Sequence, residues 1–168
     1  NDRFEHCLVF HSLSKRSNLP GLRSGFVAGD ARVIDQFRRY RTYHGCAMPP
    51  HHQIASIAAW KDEQHVVNNR ARYREKFSAV VPLLRSVLDV HQPDAGFYLW
   101  PQTPMDDEAF ALELLRQVNV AVLPGSFLGR EVNGSNPAAH RVRMALVAQK
   151  TDCIEAAERI AQALKGAT

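Results

Sequence analysis

At 168 residues, with 45% hydrophobic and 23% charged side chains, the chain can bury a core as one domain or two small pieces. Its apolar runs are too short to span a bilayer, no signal-peptide pattern opens it, and no low-complexity tract points to disorder. The net charge of +4 suits anionic small-molecule substrates, and three scattered cysteines without a CxxC pair point to a reducing, cytoplasmic setting.

The first residues, NDRFEHCLVF, lack an initiator methionine and lead almost directly into a strand, which suggests a piece of a longer protein. CLVF at 7–10 is a continuous apolar run of the kind found in a strand buried on both faces, and GFVAG at 25–29 is a second. Asp30 is placed to cap a helix through ARVIDQFRRYR, with Val33, Ile34 and Phe37 on one face, and GCAMPPHH ends it. Another helix is predicted through QIASIAAWKDE. A long periodic segment follows over 64–88, in which Phe77, Val80, Leu84 and Leu88 recur at helical intervals and Pro82 should kink the helix or mark a boundary.

GFYLW at 96–100 reads as a strand, and Thr103-Pro104 with Asp106 as a helix start in which proline follows the cap. Phe110, Leu114, Leu115 and Val118 give that helix its apolar stripe. VAVLPG and RVRMALV are predicted strands, NGSNPAA at 133–139 a loop, and 152–164 a closing amphipathic helix. The order of elements places the chain in the α/β class, with a boundary near the long helix.

Eight histidines raise the question of a metal, but the one adjacent pair, His51-His52, has no HExxH or Cys/His quartet around it. No metal site is expected. The basic stretches RRYRTY (38–43) and RARYREK (70–76) carry apolar residues at helical spacing, so they read as solvated helix faces. Neither a nucleic-acid nor a membrane partner is expected.

The segment HSLSKRSNLPGLRSG, residues 11–25, sets Lys15 among small hydroxyl residues at the end of an apolar run, with Arg23 eight positions on. A lysine attacks carbonyl carbon only as the neutral amine, which partial burial and nearby cations favour. Ser12, Ser14 and Arg23 offer two hydroxyls and a guanidinium fork, the groups that hold a phosphate dianion. Pro20-Gly21 turns the chain so that Arg23 can return toward Ser12. A carbonyl-capturing lysine beside a phosphate cradle describes a pyridoxal phosphate site, and the GxxxxGK[ST] order of a nucleotide loop is absent.

This segment resembles the lysine signature of class I/II, fold-type I aminotransferases, including the lysine-to-arginine interval. Ser24 departs from it, where many members carry an aliphatic residue. DAGFYLW, VAVLPGSFLG and HRVRMALV resemble the family's small-domain strands. In the last of these, Val142, Met144 and Leu146 alternate to one face and leave Arg143 on the other, with Arg141 as the rival on the same side. Within the family, SLSKRSNLPGLRSGFVAGD is most similar to N-succinyldiaminopimelate aminotransferases.

The resemblance implies the C-terminal part of a fold-type I transferase. Residues 1–75 would be the remnant of the large pyridoxal-phosphate-binding domain and 76–168 the small C-terminal domain. It implies pyridoxal 5'-phosphate as cofactor, Lys15 as the Schiff-base lysine and general base, and Ser12 and Arg23 as phosphate ligands with Ser14 beside them. It also implies Arg143 as the grip on the substrate α-carboxylate. Tyr43 or His44 would reach the neighbour's site in a homodimer of the longer protein. The substrates implied are an amino acid, N-succinyl-LL-2,6-diaminopimelate foremost, and 2-oxoglutarate.

The family's glycine-rich phosphate turn, its ring-stacking aromatic and its aspartate for the pyridine nitrogen all precede the lysine. These 168 residues alone are therefore expected to be inactive. Other readings on the same scaffold are a kynurenine, alanine or aspartate aminotransferase, an aminocyclopropane-carboxylate synthase, or an aminotransferase-like sensor domain of a transcription regulator.

Overall fold

The structure, a computed structural model, describes residues 4–166, so the outer ends of the two expected pieces, 1–3 and 167–168, lie outside it. The chain forms two compact units, Asn1–Arg70 and Ala71–Thr168.

In the first unit, β1 (Leu8–Ser12) pairs antiparallel with β2 (Gly25–Gly29), in a register that sets Ser12 opposite Gly25 and Phe10 opposite Val27. The connection holds a single helical turn, α1 (Leu13–Arg16), and a 3-10 turn at Pro20–Leu22. Leu13, fully buried, anchors it: its amide donates to Ser24 O at 3.0 Å, and its carbonyl accepts from Ser17 and Leu19. A Cβ at Gly25 would lie 2.6 Å from His11 O, so the strands approach here only because position 25 has no side chain.

Helix α2 (Ala31–Arg41) starts at Asp30, whose carboxylate accepts from Arg32 N at 2.9 Å and reaches back to His6 N at 3.0 Å. Helix α3 (Pro50–Lys61) opens with proline in the first turn, where a missing N–H leaves nothing unpaired.

The expectation that CLVF is buried on both faces is not met. Val9 is 50% exposed and Phe10 69%. A ribbon of two strands has two faces and two edges, and the elements of this unit cover only part of them.

Helix α4 (Gln64–Arg85) runs from the first unit into the second and contains Pro82. The proline does not end the helix, which continues to Arg85, with Leu84 O then accepting from Val87 N and Leu88 N. Pro82 and Ser78 are both exposed, so water can serve the Ser78 carbonyl that proline leaves without a donor.

The second unit holds an antiparallel sheet of β3 (Tyr98–Leu99), β5 (Val142–Ala145) and β4 (Leu123–Pro124), with β5 central. The predicted strands shrink to these short ladders because the flanking residues turn into loops. Pro124 sits on an edge strand, where no ladder donor is required. Helices α5 (Asp107–Val118) and α6 (Lys150–Lys165) complete the unit. Their inner faces join α4 and the sheet in a core built on Phe77, Leu84, Leu99, Phe110, Val142 and Ile160. Each such side chain contributes roughly 1.5–3 kcal/mol by leaving water. Cys153 is buried in this core.

The start of α5 corrects the expected cap. Asp106, not Thr103, is the cap residue, accepting from Ala109 N at 3.0 Å. Pro104 lies outside the helix, and the Thr103 hydroxyl donates instead to Met105 O at 2.7 Å. Asn119 ends the helix in the left-handed conformation that asparagine tolerates well. Among the described residues no helix is long and apolar enough to cross a membrane.

Candidate active site

Ser12 ends β1 and Lys15 follows one turn later, because the strand gives way to α1 at Leu13. Both line an open groove of about 590 Å³ in the first unit, with Phe10, Phe26, Phe37 and Arg41 among the other walls. The groove is mostly apolar, with the Lys15 amine, the Ser12 hydroxyl, the His11 imidazole and the Arg41 guanidinium among its lining. On the hairpin, His11, Phe26 and Trp60 form a cluster of rings with centroids 5.2 to 5.9 Å apart, which seats the end of α3.

Arg16, the residue after Lys15, fixes the turn. Its guanidinium donates to Ala59 O at 2.9 Å and Trp60 O at 3.3 Å, contacts Glu63, and lies 5.1 Å over the Trp60 ring. These carbonyls belong to the last turn of α3, where helix acceptors lack intrahelical donors and a cation complements the dipole. The side chain is 7% exposed, so the clamp is largely dry and holds α1 beside α3. Nothing in the local sequence marks Arg16 for this role, since the carbonyls it serves lie more than forty positions away.

Arg23 lies two residues before Gly25, the partner of Ser12 in the hairpin, but its guanidinium does not line the groove. Nη1 donates to Pro20 O at 3.0 Å, and the backbone is left-handed at φ 49°. A non-glycine residue there carries strain, a mark often found at functional sites. Four further N–H donors of the fork remain for an anion. Ser14, half-buried, lies outside the groove lining. The structure thus brings Ser12 and Lys15 together, sets Arg23 nearby, and leaves Ser14 apart.

In the second unit, Val142, Met144 and Leu146 are at most 7% exposed, and the intervening Arg143 points the other way, its guanidinium 4.7 Å over the Tyr98 ring. Arg141 shares that side but donates to Trp100 O at 3.1 Å. Among the described residues Arg143 makes no hydrogen bond or ion pair, so its whole fork is open, whereas Arg141 has one donor engaged. Tyr43 is 88% exposed on the loop after α2, which is shaped by the stacked pair Tyr40–His44 and by Arg41 donating to His44 O and Cys46 O.

The donor set fits the cofactor that the resemblance implies. The Lys15 amine and the Ser12 hydroxyl share one groove, and Arg23 lies two residues from Gly25 in its wall, a set that suits an aldehyde bearing a phosphate.

The family model for aminotransferase class I and II matches residues 1–160. A crystal structure of an aminotransferase from Neisseria meningitidis superposes with a TM-score of 0.87 at 55% identity, over 94% of this chain and 40% of that one. A probable N-succinyldiaminopimelate aminotransferase from Thermus thermophilus superposes with a TM-score of 0.83 at 30% identity, over 98% of this chain and 44% of the other. An LL-diaminopimelate aminotransferase of Dehalococcoides mccartyi is 36% identical over 131 residues, covering 76% of this chain and 34% of the relative. The chain thus spans about a third of the length of the curated relatives it matches. These likenesses agree with a chain that carries the C-terminal part of the fold-type I scaffold, and it belongs to the pyridoxal-phosphate-dependent class I and II aminotransferase family.

Proposed function

We propose that the longer protein containing this chain is an aminotransferase that moves an amino group between an amino acid and a 2-oxo acid. The observation that carries the reading is the sharing of one groove by Lys15 and Ser12, with Arg23 returned beside it. Lys15 would hold pyridoxal phosphate through its amine, and Ser12 and Arg23 its phosphate, with Ser14 as a weaker ligand. When bound, the cofactor supplies a conjugated ring that draws electrons from the substrate α-carbon.

As a free amine, Lys15 Nζ would take the proton from that α-carbon as general base. Arg143 binds the α-carboxylate through two parallel N–H donors, so the carbon is presented in one orientation. By this reading residues 1–75 belong to the large cofactor-binding domain and 76–168 to the small one. The 168 residues alone would be inactive. Tyr43, exposed on its loop, is suited to contact the distal end of a substrate in the neighbouring subunit of a homodimer, and the setting is cytoplasmic.

The favoured substrate pair is N-succinyl-LL-2,6-diaminopimelate and 2-oxoglutarate, supported by the likeness to the Thermus protein. A second reading, unsubstituted LL-diaminopimelate, is favoured by the Dehalococcoides relative. Steady-state turnover with the two donors separates them, and a preference for the unsubstituted one moves the assignment to the second.

The test of the site is absorbance of the full-length protein with pyridoxal phosphate, before and after borohydride, followed by peptide mapping. Reduced label on Lys15, abolished by Lys15→Ala, is expected. Label confined to other lysines would overturn the reading.

A further inference from the structure

Directly before Arg141 and β5, His140 holds a left-handed backbone at φ 57°, uncommon for a non-glycine residue and held here by restraint. The restraint is visible. The His140 amide donates to Asp107 Oδ1 at 3.1 Å, its carbonyl accepts from Thr103 N at 2.8 Å, and its ring nitrogen lies 3.3 Å from Met105 O.

The other carboxylate oxygen, Asp107 Oδ2, accepts from Ser126 N at 2.8 Å. Asp107 is 1% exposed, and its two bonds span 33 and 19 positions of sequence. Gly125 and Arg141 close the same junction, with Gly125 N donating to Arg141 O at 2.7 Å. One carboxylate therefore joins the loop after β4 to the residue from which β5 departs.

We propose that Asp107 is a positioning residue for the substrate carboxylate: it locks His140, and so sets the strand that aims Arg143. This rests on the assignment of Arg143 above. The two donors sit on two different oxygens, which makes the charge state of the side chain decisive. In Asp107→Asn, either orientation of the amide turns an NH₂ group toward one of the backbone N–H donors. One bond is lost and a buried donor is left unpaired.

The test uses the full-length protein. Asp107→Asn is expected to raise KM for the amino acid about tenfold while kcat changes less than about twofold, since orientation rather than proton transfer is impaired. An amine substrate without an α-carboxylate should show no change in KM. Asn136→Ala serves as the control. Its side chain also ties this region, accepting from Ala138 N and donating to Ser126 O, but it does not touch His140. It is expected to leave KM unchanged, and equal KM increases in both variants would mean general loosening and overturn the proposal.

Arg143→Lys separates the two assignments. If it leaves KM unchanged, the reading of Arg143 fails; if it raises KM while Asp107→Asn does not, the role of Asp107 fails. Hydrogen exchange of the unaltered protein needs no variant that folds. The amides of Ser126 and His140 should exchange at least about a hundredfold more slowly than those of Asn133 and Gly134, and equal rates would overturn the proposal.

Discussion

Phe110, Leu84 and Val142 in the Ala71–Thr168 unit are at most 1% exposed, whereas Phe10, Val9 and Phe26 in the Asn1–Arg70 unit stand 69%, 50% and 47% exposed. The second unit closes its own core between two helices, the end of α4 and a sheet. The first carries the lysine and its groove on a ribbon too narrow to cover itself. An unscreened apolar ribbon of this kind asks for cover from other chain. Order around Lys15 is instead held by polar pins: Arg16 on the end of α3, and Asp30 between His6 and Arg32.

The contrast breaks most sharply on core truncation. Phe110→Ala should cost about 3–5 kcal/mol in chemical denaturation, and Phe10→Ala in this chain no more than about 0.5 kcal/mol. A large loss from Phe10→Ala would show that the hairpin is covered after all.

Next comes the clamp. Arg16→Lys keeps the charge but not the fork, leaves α3 carbonyls without a donor, and should cost the first unit about 1–3 kcal/mol. Glu63→Gln, at a carboxylate 70% exposed, should stay within about 0.5 kcal/mol. Equal losses would make the ion pair, not the carbonyl clamp, the source of stability.

The smallest effect lies in acid. The hydrogen bond from His6 N and then that from Arg32 N hold the Asp30 carboxyl down to about 2. A folded value below the ordinary one means that the stabilisation is complete above about pH 4 and fades as pH falls toward 2. Unfolding midpoints measured between pH 5 and 2 should drop less steeply in Asp30→Asn than in the parent chain. For Asp107, burial works upward, but the hydrogen bonds from Ser126 and His140 outweigh it, so its carboxyl also lies below the ordinary value.

Local patterns were the legible part of this molecule. Alternation at Val142, Met144 and Leu146 predicts which way Arg143 faces, and the Asp30 cap follows from the residue preceding an amphipathic run. Pro20-Gly21 marks the turn before Arg23, but the direction of the Arg23 guanidinium, toward Pro20 O, is not written in it. What escaped depends on partners distant in sequence. Nothing near Arg16 shows that it serves carbonyls 43 and 44 positions on, and nothing near Asp107 foretells two amides 19 and 33 positions away. CLVF reads as a strand buried on both faces because an apolar run reports what a strand prefers to touch, and its exposure here is what a piece of a larger domain is expected to show.

The placement of the three thiols gives the molecule an internal gauge of integrity. Cys7 and Cys46 are exposed in the first unit, while Cys153 is shut in the core of the second, where burial raises its pKa and suppresses the reactive thiolate. An alkylating probe should consume two equivalents at once and the third only as fast as α6 and its neighbours part. The lag between them times the opening of the second unit without any label having been engineered in.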